Sequence, residues 1–164
     1  MDCNVKTGEA DKLRSGCIVV GISAPRRLSA AAEQLDKASD GQLRELLKQG
    51  DIDTDCGKTT LIHCPRGRIQ ARRIMVVGCG EEKALSPQSF DQLATAAAGA
   101  LQSSGATDAL SFLTEVEVKD RDLNWKAQQI VLASRNAAYR FDELKSNAKP
   151  PKHPLRKLSI AAAS

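Results

Sequence analysis

Four stretches of this chain are nearly continuous in apolar residues: CIVVGI (Cys17 to Ile22), TTLIHC (Thr59 to Cys64), IMVVGC (Ile74 to Cys79) and ALSFLT (Ala109 to Thr114). Runs of that length without polar alternation predict strands buried on both faces. CNVK near the start and KLSIAAA near the end are weaker strand candidates. Between the strands the rhythm changes to that of helices. Leu28, Ala31, Leu35 and Ala38 recur at helical spacing; a second short helix carries Leu43, Leu46 and Leu47, with Asp40 as its expected cap and Gly50 as its stop. The clearest helix opens at Ser86-Pro87, shows Phe90, Leu93, Ala97 and Leu101 along one face, and stops before Gly105. The last runs from about Leu123 to Leu144, with Ile130, Ala133, Ala137, Phe141 and Leu144 on one stripe. Strands alternating with helices predict an α/β fold of three layers, α/β/α, around a mixed, mostly parallel sheet.

The chain has 164 residues, which suits one domain. Aromatics are only 3%, so the core is built from Ala, Leu, Ile and Val. The first residues carry charges of both signs, and no apolar run approaches the ~20 residues of a membrane span; these features lead us to expect a cytoplasmic protein without a membrane partner. Five scattered cysteines without a C-x-x-C pair read as reduced thiols, mostly in strands, and two isolated histidines offer no zinc site. The net charge of +4 is modest but unevenly placed. Arg66, Arg68, Arg72 and Arg73 form one acid-free run, and Lys149, Lys152, Arg156 and Lys157 belong to another. Solvated surface and an anionic partner are both open readings of such runs.

Candidate chemistry is sparse. Gly78-Cys79-Gly80 follows a strand as a dinucleotide loop would, but the third glycine is missing, Glu81 and Glu82 follow, and the helix waits until Ser86. We therefore read the loop as a turn that uses glycine's freedom at positive φ. Gly57-Lys58-Thr59 resembles the tail of a P-loop, yet Ile52 stands where its first glycine belongs and a strand follows, not a helix. No G-x-S-x-G is present, and the carboxylates are dispersed, so no catalytic, metal or cofactor residue is assigned.

Several long stretches together resemble a known family. GCIVVGISAPRRLSAAAEQLDKASDGQLRELLKQGDI, GKTTLIHCP, RRIMVVGCGEEKALSPQSFDQL and SFLTEVEVKDRDLNWKAQQIVLASRNAAYRFDELKSN are similar, in order and spacing, to the N-terminal domain of bacterial leucyl aminopeptidases. The resemblance implies a macro-like fold over residues 1–148 and, in 149–164, a connector toward an absent C-terminal catalytic domain. It implies a parent polypeptide that is a hexameric exopeptidase with two zinc or manganese ions. Those ions and the catalytic residues belong to a domain with an N-T-D-A-E-G-R motif, which this sequence lacks. The expected partners are that catalytic domain, other subunits of a homohexamer and, as in some bacterial members, double-stranded DNA, for which the eight basic residues named above are the candidates. The rival expectation is a free-standing macro domain that binds ADP-ribose or another nucleotide.

Overall fold

A computed structural model of the chain describes residues 1–81, 83–144 and 154–162. Strands β1 (Asp2–Lys6), β2 (Ile18–Ser23), β3 (Arg27–Leu28), β4 (Thr59–His63), β5 (Arg73–Gly78), β6 (Asp108–Ser111) and β7 (Lys157–Ala161) join helices α1 (Ala30–Ala38), α2 (Gln42–Gln49), α3 (Pro87–Ser103) and α4 (Leu123–Leu144). The sheet order is β1-β7-β6-β2-β5-β4, with the two-residue β3 hooked antiparallel onto β2. The first five strands of that order run parallel, and β4 runs antiparallel beside β5.

The period of two in the central strands divides the core. Ile18, Val20 and Ile22 of β2 join Ile74 and Val76 of β5 beneath Ala31, Ala32 and Leu35 of α1 and Leu43 and Leu47 of α2. Val19, Met75 and Val77 face the opposite side, under Phe90, Leu93, Ala97 and Leu101 of α3 and Ile130 of α4. The three-layer α/β expectation is met in this arrangement. α3 begins as anticipated: the Ser86 hydroxyl accepts a hydrogen bond from the Ser89 amide at 3.1 Å, Pro87 opens the helix, and Gly105 lies just beyond its end at φ 81°.

Several local expectations are corrected. Asp40 does not cap α2; it sits at φ 57°, and the preceding helix supplies the acceptor instead. The Asp36 carboxylate, buried in α1, accepts from the Arg44 amide at 3.0 Å and from Arg44 Nη1 at 2.6 Å. The run from Ala109 to Thr114 is strand only as far as Ser111, then turns into a single 3-10 turn, Leu113–Glu115. The run at Thr59 to Cys64 is a half-exposed edge strand instead of a doubly buried one, and Cys64 is exposed at φ 51°. Of the stripe on α4, Ile130 is buried and Ala133 and Ala137 are half-buried; the side chains of Phe141 and Leu144 lie outside the described residues. The weaker strand candidates at both ends are strands, and the one near the C-terminus, Lys157–Ala161, is interior: β7 lies between β1 and β6 with both neighbours parallel.

Candidate functional site

In parallel sheets ligands bind at the C-terminal ends of the strands, and a cleft lies there, lined by Gly21, Ser23, Arg27, Cys79, Glu81 and Glu115 among others. Its glycine loop carries no free donor for a phosphate. The Gly78 amide donates to the Lys58 carbonyl at 2.7 Å, Cys79 to Ile22 at 3.0 Å, and Gly80 to Thr54 at 2.8 Å. A Cβ on Gly78 would lie 2.2 Å from the Asp55 carbonyl oxygen, so this glycine is required by the approach of its own chain. Gly80 adopts φ 77°, the positive value expected of a turn.

The other natural anion position, the N-terminus of α1, is already filled. The Ser29 hydroxyl accepts from the Ala32 amide at 3.2 Å, and Glu115 Oε1 accepts from the Ala31 amide at 3.0 Å. A carboxylate from the 3-10 turn thus stands where a ligand phosphate would gain from the helix dipole. Burial raises the Glu115 pKa above the ordinary carboxylate value, while the hydrogen bonds from Ala31 and Ser29 pull it the other way. Cys79, on the cleft wall, has its thiol pushed up to about 11 by burial, and Cys17 beneath the sheet is pushed up to about 12. Neither is a thiolate nucleophile at neutral pH.

The opposite end of the sheet collects positive charge. β5, β7 and the residues leading into β2 all start there, because these strands run parallel. Arg72 and Arg73 line a groove together with Arg14, Ser15, Gly16, Thr107 and Asp108. Arg72 is exposed; Arg73 is half-buried, and its Nε has no hydrogen-bond partner. Arg156 and Lys157, both exposed, stand beside this groove, since the Arg156 amide donates to the Thr107 carbonyl at 2.7 Å and Lys157 is paired with Asp108. β7 and β5 are three strands apart, or roughly 14 Å at ~4.8 Å per strand. The acid in the groove is engaged: Asp108 Oδ2 accepts from the Gly16 amide at 3.0 Å and lies 3.4 Å from Ser15 Oγ.

Two of the sequence candidates stand apart from this rim. Arg66 Nη2 is bound to Glu45 Oε2 at 2.6 Å, and Arg68 shares its surroundings with Glu9, Asp11 and Asp40. Lys149 and Lys152 lie outside the described residues. Arg14 was missed because it stands with Lys12 among charges of both signs, with no acid-free run to mark it. Only the path of the chain brings it beside Arg72.

Residues 19–148 match the family described as cytosol aminopeptidase family, N-terminal domain. This chain belongs to that family. A probable cytosol aminopeptidase of Tolumonas auensis is 43% identical over 164 residues, spanning 100% of this chain and 33% of that protein. One from Idiomarina loihiensis is 45% identical over 158 residues, or 96% of this chain and 31% of that protein. The chain thus spans about a third of the length of these relatives. In structure it is similar to a tomato leucine aminopeptidase mutant, with a TM-score of 0.74 at 20% identity over 99% of this chain and 32% of that one. It is also similar to the macrodomain of Mycobacterium tuberculosis DarG, with a TM-score of 0.68 at 12% identity over 99% of this chain and 98% of that one. At such identities these two likenesses speak for the macro-like fold alone. In this cytosol aminopeptidase N-terminal domain, no cluster of three or more His, Cys, Asp or Glu residues that could hold a metal ion occurs among the described residues. No described helix is long and apolar enough to cross a membrane.

Proposed function

We propose that this domain is the accessory N-terminal part of a cytosolic leucyl aminopeptidase. It contributes no catalytic group, takes part in assembly of a homohexamer, and contacts double-stranded DNA through the basic rim at the N-terminal end of its sheet. The two zinc or manganese ions of the exopeptidase reaction belong to a C-terminal catalytic domain. The observation that supports the DNA reading is the convergence of two runs distant in sequence: Arg72 and Arg73 with Arg156 and Lys157, joined by Arg14. Cations spaced over roughly 14 Å suit a duplex backbone, whose phosphates bind by charge and by counterion release, not by base sequence.

Fluorescence anisotropy on a duplex at several salt concentrations tests this. Five phosphate contacts give a log-log slope of about −4.5, and replacing Arg72, Arg156 and Lys157 with Ala reduces it to about −2. Replacing Arg66 and Arg68 leaves the slope unchanged, because the first is held by Glu45 and the second stands among acids. No binding at low salt, or a slope unaffected by the rim substitutions, overturns the DNA reading. The rival, a nucleotide-binding macro domain, is favoured by the fold likeness alone. Calorimetry with ADP-ribose separates the two readings; no saturable binding is expected, since the loop amides are occupied and Glu115 holds the helix terminus.

A further inference from the structure

β1 is the edge of the sheet on the side of β7, and its geometry determines which of its groups are available. The Asp2 amide donates to the Arg156 carbonyl at 2.9 Å, and the Lys6 carbonyl accepts from the Ala162 amide at 3.0 Å. Residues 2, 4 and 6 therefore spend their backbone groups on β7, and the amides and carbonyls of Cys3 and Val5 point outward from the sheet. The strand has neither proline nor bulge to blunt it. Beside it, Cys3, Val5, Ala127, Val131, Leu132 and Ile160 line an apolar groove between the edge and α4. Val5 is 66% exposed and Leu132 53%, high values for apolar side chains in one groove.

We infer that this edge and groove are the docking surface for a second copy of the same chain, paired antiparallel along β1 about a two-fold axis at Asn4. The sequence of β1, Asp2-Cys3-Asn4-Val5-Lys6, is self-complementary in that register. Asp2 of each copy faces Lys6 of the other, and Cys3 faces Val5 of the partner subunit. Cys3 and Val5 are the residues whose backbone groups are open, so each Cys3 and Val5 pair exchanges two hydrogen bonds. Centring the axis on Cys3 or Val5 keeps outward groups together but leaves one end of the strand unpaired. A parallel copy in register would set Asp2 against Asp2 and Lys6 against Lys6, which repel. Antiparallel pairing keeps Cys3 and Val5 of both copies on one face, so both α4 helices lie on the same side and the two grooves meet across the seam. The contact is isologous, and it closes at two subunits.

Sedimentation equilibrium of the whole chain from about 1 µM to about 1 mM tests this, with monomer and dimer as the species expected. The mass should rise from 17.6 kDa toward twice that value. Val5→Pro removes an outward amide and no bond to β7, so it should abolish the rise with an unchanged circular dichroism spectrum. Asp2→Lys, which sets like charges at both ends, should weaken association about tenfold. The swap Asp2→Lys with Lys6→Asp should restore it, an outcome that a merely structural role for either residue does not give. A monomer at every concentration, a larger mass insensitive to Val5→Pro, or a swap that fails to rescue overturns the proposal. So does a monomeric chain whose Cys3 and Val5 amides exchange slowly only within a longer polypeptide, since the occupant is then the rest of that polypeptide.

Discussion

Glu115 shows how one side chain changes the use of a cleft. Its carboxylate meets the Ala31 amide and closes the end of α1, yet burial makes its charged form costly. The folded chain therefore holds this proton more tightly than the unfolded chain does. The stability from Glu115 is full below the unfolded value of about 4.5 and is lost as pH rises through the higher folded value. Glu115→Gln keeps an acceptor for the amide and removes the titration. In urea unfolding between pH 4 and pH 7, the wild type should lose stability relative to the variant as pH rises; parallel profiles would count against this account. The positive φ expected of the glycine loop is found at Gly80, a local feature that the sequence could carry. No local pattern could show that Glu115 would reach α1, 84 residues earlier in the chain.

Elements were legible where their signals were local. α3 carries its cap, its proline and its terminal glycine in sequence, and the structure keeps all three. α2 did not, because its cap comes from the helix before it. Asp36 is buried and bonds both the Arg44 amide and its guanidinium, so Asp36→Ala should cost about 1–2 kcal/mol in chemical denaturation. Asp36→Asn, which retains an acceptor, should recover part of that loss. Asp40→Gly should be close to neutral, since the residue sits at φ 57° and caps nothing. The opposite ranking would return the cap to Asp40. Edge and centre were also not told apart in sequence. The runs at β4 and β5 both read as doubly buried strands, although β4 carries Thr59, Thr60 and His63, and its place at the edge beyond β5 leaves it half-exposed.

At the scale of the molecule, the last described strand is the part most easily misjudged. β7 is short and follows a proline-rich stretch, which is why the sequence offers it only as a weak strand candidate; in the sheet it joins β1 to β6. Leu158 is fully buried, and the Thr114 hydroxyl donates to the Ala161 carbonyl at 2.7 Å. Leu158→Ala should therefore cost about 2–5 kcal/mol, as for other core truncations, and should lower the thermal midpoint clearly. A change within the range of a surface substitution would mean that β7 is dispensable. By itself the sequence determined the fold class, most of the elements and the family likeness, because periodicity, caps and long matched stretches are carried by neighbouring residues. Tertiary structure alone decided that β7 is interior, that Arg14, Arg72, Arg73, Arg156 and Lys157 share one end of the sheet, and that Glu115 closes α1. Each of these depends on strand order and direction, which bring together residues dozens of positions apart and leave no trace in local spacing.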